Sequence, residues 1–116
     1  MKPLEGITVL DLARVLAAPY ATMLLAEMGA TVIKVEQPGT GDEIRFYEPM
    51  VKGESAYYFT ANRSKKSITA NLRNAKAQQM VRDLAAGADV VVENFTVGTL
   101  KRYGMDYDSI AKANPK

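Results

Sequence analysis

Three valines in a row, Val90–Val92, run straight into Glu93, Asn94 and Phe95. A run this short and this β-branched reads as a strand. Because it is apolar at every position rather than at alternate ones, it belongs in a parallel sheet covered on both faces. The polar residues that end it, and the basic pair Lys101-Arg102 beyond, are then delivered to the C-terminal edge of that sheet. That edge is where α/β folds hold their ligands.

The rest of the chain repeats the pattern. Ile7–Leu12, led in by Gly6, and Thr31–Glu36 read as further buried strands, and Lys66–Asn71 as a weaker one. Pro19 suits the first turn of a helix over Tyr20–Met28, with Gly29 as its C-terminal cap. That helix is apolar nearly all the way round, which predicts burial against more protein than this chain provides. Ser55–Ala61 reads as a short aromatic helix. Asn74 caps a helix whose Ala77, Met80, Val81, Leu84 and Ala85 share one face, with Lys76, Gln79, Arg82 and Asp83 toward water and Gly87 at its end. Asp106 caps a last helix, Tyr107–Ala113. Between strand and helix, Gln37–Gly53 is a long Pro- and Gly-containing loop of the kind that carries function. The alternation β-α-β-loop-β-α-β predicts an α/β fold, a Rossmann-like, mostly parallel sheet with flanking helices, opening on a right-handed βαβ unit.

Composition narrows the chemistry. A chain of 116 residues is one domain rather than two, and 47% apolar with 24% charged residues is ordinary globular usage. Cys and His are both absent, which removes thiol nucleophiles, Ser-His pairs and the usual metal ligands; no metal site is expected. The net charge of +2 and the short basic cluster, without a recognition helix or aromatic platform, argue against nucleic acid. No apolar run reaches the length of a membrane span and the N-terminus lacks the apolar core of a signal peptide, so the expected setting is the cytoplasm, away from membranes.

The first strand–helix turn, Ala13–Pro19, has no glycine, so the dinucleotide fingerprint is missing and orthodox NAD binding is not expected. Arg63, Lys65, Lys66 and Arg73 surround the third strand and Lys101-Arg102 follows the fourth. If the sheet brings these ends together, several cations converge on one edge and suit a small, multiply phosphorylated ligand. The alternative is that they are solvated surface charges. The sheet rule singles out Arg14–Ala18, Gln37–Arg45, Asn71–Arg73 and Asn94–Arg102 as ligand-edge segments.

Six stretches taken together carry a resemblance. They are Pro3–Ile7 with Val9-Leu10-Asp11, Gly29–Glu36, Gly41-Asp42 with Arg45, Asn62–Ile68, Ala88–Phe95, and Leu100–Arg102 with Asn114-Pro115. In this order they resemble the N-terminal part of the class III coenzyme A transferases, the family of formyl-CoA transferase and carnitine CoA-transferase. The α-methylacyl-CoA racemases share that family.

The resemblance implies that residues 1–116 are the N-terminal part of a larger, coenzyme A-binding domain in an interlocked homodimer. It places coenzyme A contacts at Leu16 and Ala17, at Gln37, at Ala70, Asn71, Leu72 and Arg73, and at Asn94, Phe95 and Arg102. Gln37 stands where the formyl-CoA transferase pattern has Arg, and Thr96 where it has Gly. The implied reaction moves coenzyme A from an acyl-CoA to a carboxylic acid, through a downstream Asp that attacks the thioester carbonyl and passes through anhydride and thioester intermediates. None of Asp11, Glu36, Asp42, Glu43 and Glu93 aligns with that Asp, so no catalytic residue is expected within the chain. Asp11 and Glu93 are expected to bond loop amides. The other readings are a racemase-type isomerase and a non-catalytic coenzyme A-binding remnant.

Overall fold

In the computed structural model, which describes residues 1–116, four strands lie parallel in one sheet. In chain order the elements begin with β1 (Thr8–Asp11), α1 (Ala17–Glu27) and β2 (Thr31–Glu36). A 3-10 turn, Glu43–Phe46, and a two-stranded ribbon, β3 (Met50–Val51) with β4 (Glu54–Ser55), follow. Then come α2 (Ala56–Asn62), β5 (Lys66–Thr69), α3 (Ala75–Gly87), β6 (Val90–Val92), α4 (Thr99–Arg102) and α5 (Tyr107–Ala113). The sheet order is β5-β2-β1-β6. The chain therefore moves outward from β1 through β2 to β5, then returns to the other side of β1. The reversal lies between β1 and β6, the switch point at which open α/β sheets place their crevice.

Local chemistry accounts for the element ends. Asn74 caps α3 by accepting from the Lys76 and Ala77 amides, and Ser55 caps α2 through the Tyr58 amide. Gly29 follows α1 at φ +107, a conformation that closes a helix and that a side chain resists. Asp106 precedes α5 but makes no side-chain bond to the helix amides. Helix α1 starts earlier than its sequence suggested, which puts Pro19 in its first turn, where the missing N–H costs nothing. The long loop after β2 holds the 3-10 turn and the ribbon, elements too short to leave a hydrophobic period.

Strand alternation sorts the core onto two faces. Leu10, Leu12 and Val35 pack with Val81, Ala85, Leu100 and Met105 on the α3 side. Val9 and Val32 pack with Ala26 and Ala30 on the α1 side. On that second face the next residues along β1 and β2 are Asp11, Lys34 and Glu36, all buried. The α1 side thus changes from apolar to charged as the strands approach their C-terminal ends. Of the all-round apolar α1, only one face is covered; Tyr20, Leu24 and Met28 are exposed. Met80, expected on the inner face of α3, is also largely exposed. No helix is long and apolar enough to cross a membrane.

Candidate functional site

At the C-terminal ends of all four parallel strands lies a cleft of about 330 Å³, at the small end of the range for ligand sites. Leu12 and Arg14 reach it from β1, and Glu36, Gln37 and the loop to Glu43 from β2. Ala70–Arg73 enter from β5, and Phe95, Thr96, Thr99 and Tyr103 from β6 and α4. Of the residues the sequence singled out, Gln37, Ala70, Asn71, Leu72, Arg73 and Phe95 share this cleft. Leu16 and Ala17 sit at the start of α1, exposed and outside it. Arg102 is exposed in the last turn of α4, again not on the cleft wall. Past Phe95, along the unpaired edge of β6, a larger hollow of about 770 Å³ is lined by Val91, Leu100, Met105 and Ile110. It is the more apolar of the two and holds none of the other candidates.

Asn94 has its side chain turned away from the cleft and onto the backbone. Its Oδ1 accepts from the Arg14 amide at 2.9 Å and its Nδ2 donates to the Arg14 carbonyl at 2.8 Å. Asn94 therefore fixes the β1–α1 loop, and its exposed side chain keeps a second N–H and a second oxygen lone pair unused. Glu93 folds back to accept from the Phe95 amide, and Asp11 accepts from the Ala13 amide. Both are the loop-fixing roles expected of strand-end carboxylates.

The next loop residue is pinned as well. Val15 has φ +68, a left-handed conformation that is costly for a β-branched residue. Both carboxylate oxygens of Asp42 accept from its amide, at 3.0 and 3.1 Å. Asp42 is in turn neutralised by Lys34 at 2.8 Å, with both side chains about 1% exposed. Lys34 Nζ also donates to the Ala13 carbonyl. So a lysine in the middle of a strand and an aspartate from the following loop jointly clamp the turn after β1.

A second ion pair, between buried Glu36 and partly exposed Arg45, holds the loop that follows β2. Glu36 accepts two bonds from Arg45 at 2.8 Å, one from Ser67 and one from the Asp42 amide. Burial pushes this carboxylate up, but these donors outweigh burial and hold it down at about 2. Arg45 also lies on the Tyr58 ring, 3.7 Å from its centroid. Burial first, and the Glu36 charge second, push the Tyr58 phenol up to about 12. Gly41, at φ +69, passes so close that a Cβ there would sit 2.8 Å from both Arg45 Nε and Glu36 Oε1. Asp42 and Arg45, which belong to one stretch of the family resemblance, take different partners in the fold: Asp42 pairs with Lys34 and Arg45 with Glu36.

The cations do not gather on one edge. Lys65 is buried against Asp11 at 2.8 Å and also donates to the Pro19 carbonyl and Asn62. Burial lowers its pKa despite that partner. Arg63 pairs with Glu27 near the far end of the sheet. Arg73 reaches the cleft without an ion pair, and so does Arg14, whose guanidinium lies 4.7 Å from the centre of the Phe95 ring. Arg14 belonged to a ligand-edge segment but not to the candidate contacts; its packing on Phe95 depends on residues 81 positions apart coming together.

Chemically, the cleft offers unpaired guanidiniums, amide side chains and backbone donors to an anionic ligand. Of the carboxylates on its wall, Glu36 and Asp42 are each spent on a cation, and Glu43 alone is without one.

Comparison with known proteins agrees with this architecture. The profile described as CoA-transferase family III matches residues 4–116. Over 116 residues the chain is 50% identical to a mouse (Mus musculus) protein named succinyl-CoA:glutarate CoA-transferase, covering 99% of this chain and 27% of that protein. It is 44% identical over 116 residues to the formyl-CoA:oxalate CoA-transferase of Afipia carboxidovorans, covering 27% of its length. The crystal structure of a CAIB/BAIF family protein from Brucella suis superposes with a TM-score of 0.91 at 46% identity, over 97% of this chain and 31% of that one. A putative betaketoacyl-ACP reductase, at 14% identity and a TM-score of 0.55, shares the fold alone. The chain thus spans less than a third of the relatives it matches, 27% of the mouse protein, and over nearly its whole length it belongs to CoA-transferase family III.

Proposed function

We propose that this chain supplies part of the coenzyme A site of a transferase that moves coenzyme A from an acyl-CoA to a carboxylic acid. The observation that carries the reading is the cleft at the sheet switch point. Gln37, Ala70–Arg73 and Phe95, named from the family resemblance, line one cavity with Arg14, so that two unpaired arginines, Arg14 and Arg73, share it. Two arginines suit phosphate oxygens, and Asn71 and Gln37 suit the polar edges of a base or ribose. At about 330 Å³ the cleft takes only part of a molecule the size of coenzyme A. The remainder would run past the start of α1, where Leu16 and Ala17 lie, and toward Arg102.

On this reading residues 1–116 are the N-terminal part of a larger binding domain, and the reacting carboxylate is an Asp in the portion of the relatives that this chain does not cover. The chain's own carboxylates set the loops that receive coenzyme A. The bound species are an acyl-CoA and a carboxylic acid, and the homodimer implied by the resemblance completes the site. The chain alone is expected to bind coenzyme A weakly and not to catalyse.

Isothermal titration with coenzyme A and with NAD tests the reading. Heat released by coenzyme A and not by NAD supports it. Binding of NAD without coenzyme A, or transferase turnover by the isolated 116-residue chain, contradicts it.

A further inference from the structure

Arg14 is the cleft cation that the fold holds in place and yet leaves without an acid. Its peptide is held from both sides by Asn94, through the amide at 2.9 Å and the carbonyl at 2.8 Å. Its guanidinium rests over the Phe95 ring at 4.7 Å. A guanidinium stacked on an aromatic face keeps the N–H groups along its edge free and in a fixed plane, the arrangement that pairs with two oxygens of one anion. None of those N–H groups is spent: Arg14 enters no ion pair and its side chain donates no hydrogen bond within the chain.

The charges around it also decide the sign of the cleft. Glu36 is neutralised by Arg45 and Asp42 by Lys34. The remaining charges on the wall are Arg14 and Arg73 against Glu43, which leaves the cavity positive. An arginine fixed at its backbone, stacked at its head and left without an acid is pre-organised for an anion, because little of its freedom remains to be lost on binding. Arg14 is exposed, and exposure by itself imposes neither of these two restraints on an arginine.

We infer that Arg14 is a phosphate-binding residue of this cleft, its stacked guanidinium taking two oxygens of a coenzyme A phosphate with Arg73 as the second cation. The inference rests on the coenzyme A reading for the identity of the ligand, but not for its phosphate chemistry. It gives Phe95 a role as the platform for Arg14 rather than for adenine on the face that Arg14 covers. It also explains why Asn94 is occupied by backbone: Asn94 is a positioning residue that sets Arg14.

The test is titration of the 116-residue chain and of its Arg14→Gln and Arg14→Lys variants with coenzyme A, dephospho-coenzyme A and inorganic pyrophosphate. The far-UV spectrum and unfolding midpoint of each variant are recorded in parallel. Arg14→Gln is expected to weaken coenzyme A about 10-fold, as loss of a charged hydrogen-bonding partner does, and to flatten the dependence of affinity on salt. Arg14→Lys, which keeps the charge and loses the fork, falls between. Equal losses for all three ligands assign Arg14 to the diphosphate; a loss confined to coenzyme A assigns it to the 3′-phosphate. Folded Arg14→Gln protein that binds coenzyme A and pyrophosphate as tightly as the parent overturns the inference and leaves the coenzyme A reading standing. Pyrophosphate binding that depends on Arg14, in a parent that ignores coenzyme A, does the reverse. A parent that binds none of the three overturns both.

Discussion

Asn94 grips the peptide of Arg14 from both sides, accepting from its amide at 2.9 Å and donating to its carbonyl at 2.8 Å across a separation of 80 residues. One side chain at the end of β6 thereby sets the turn that follows β1, across the point where the strand order reverses. The sheet switch point is thus tied together by side chain as well as by topology.

Removing that tie has a defined cost. Asn94→Ala is expected to destabilise the chain by about 1–2 kcal/mol, since two exposed-edge hydrogen bonds are lost and water replaces them in part. Asn94→Asp keeps the acceptor for the Arg14 amide and loses the donor to its carbonyl, so it falls between. Urea unfolding measures both, and faster hydrogen exchange at the Arg14 amide in Asn94→Ala locates the effect.

The Lys34–Asp42 pair is a stronger constraint because both groups are out of water. Lys34→Met leaves Asp42 buried without its cation and is expected to cost about 3–5 kcal/mol. Its signature is a lower denaturation midpoint with the slope unchanged. A loss under 1 kcal/mol contradicts the buried clamp.

Val15 at φ +68 carries strain that glycine does not feel. Val15→Gly is expected to leave stability unchanged or raise it by about 1 kcal/mol, the relief of a left-handed β-branched residue offsetting the lost side-chain contact and the added chain entropy. Gly41→Ala has the opposite sign. A Cβ there meets Arg45 Nε and Glu36 Oε1 at 2.8 Å, and the variant is expected to lose about 2 kcal/mol through strain and a disturbed ion pair. Thermal unfolding of the two variants side by side checks the contrast.

Glu36 gives the chain an acid-sensitive joint. Its folded pKa, about 2, lies below the ordinary glutamate value of about 4.3 in an unfolded chain. A lowered carboxylate stabilises the fold fully above the unfolded value, and that contribution is lost as pH falls from about 4.3 toward 2. Its size is about 2–3 kcal/mol. Glu36→Gln is expected to flatten the acid limb of a stability–pH curve in that window, with little change in its shape near neutrality.

What the sequence disclosed and what it withheld follow from the range of the interactions. β2 was readable because Thr31–Glu36 is a short apolar-led run bracketed by Gly29 and Pro38, and α3 because Asn74 and a single apolar face mark it locally. The ribbon β3–β4 was not, since two-residue strands have no period to detect. For the site, the sheet rule and the resemblance together reached Gln37, Ala70–Arg73 and Phe95, residues fixed by strand ends alone. They could not show that Asn94 turns onto Arg14, or that Lys65 spans 54 positions to Asp11. Lys34 offered a local clue, a lysine among valines and isoleucine in a buried strand, which demands a buried acid. Which acid answers is a matter of tertiary packing.

Amide chemical-shift mapping during a coenzyme A titration reads directly whether the cleft at the strand ends receives coenzyme A. Shifts are expected to concentrate at Arg14, Gln37, Ala70–Arg73 and Phe95, with α3 and the outer face of α1 unmoved. Shifts confined to the apolar hollow along β6, at Val91, Leu100, Met105 and Ile110, or none at saturating coenzyme A, would contradict the coenzyme A reading.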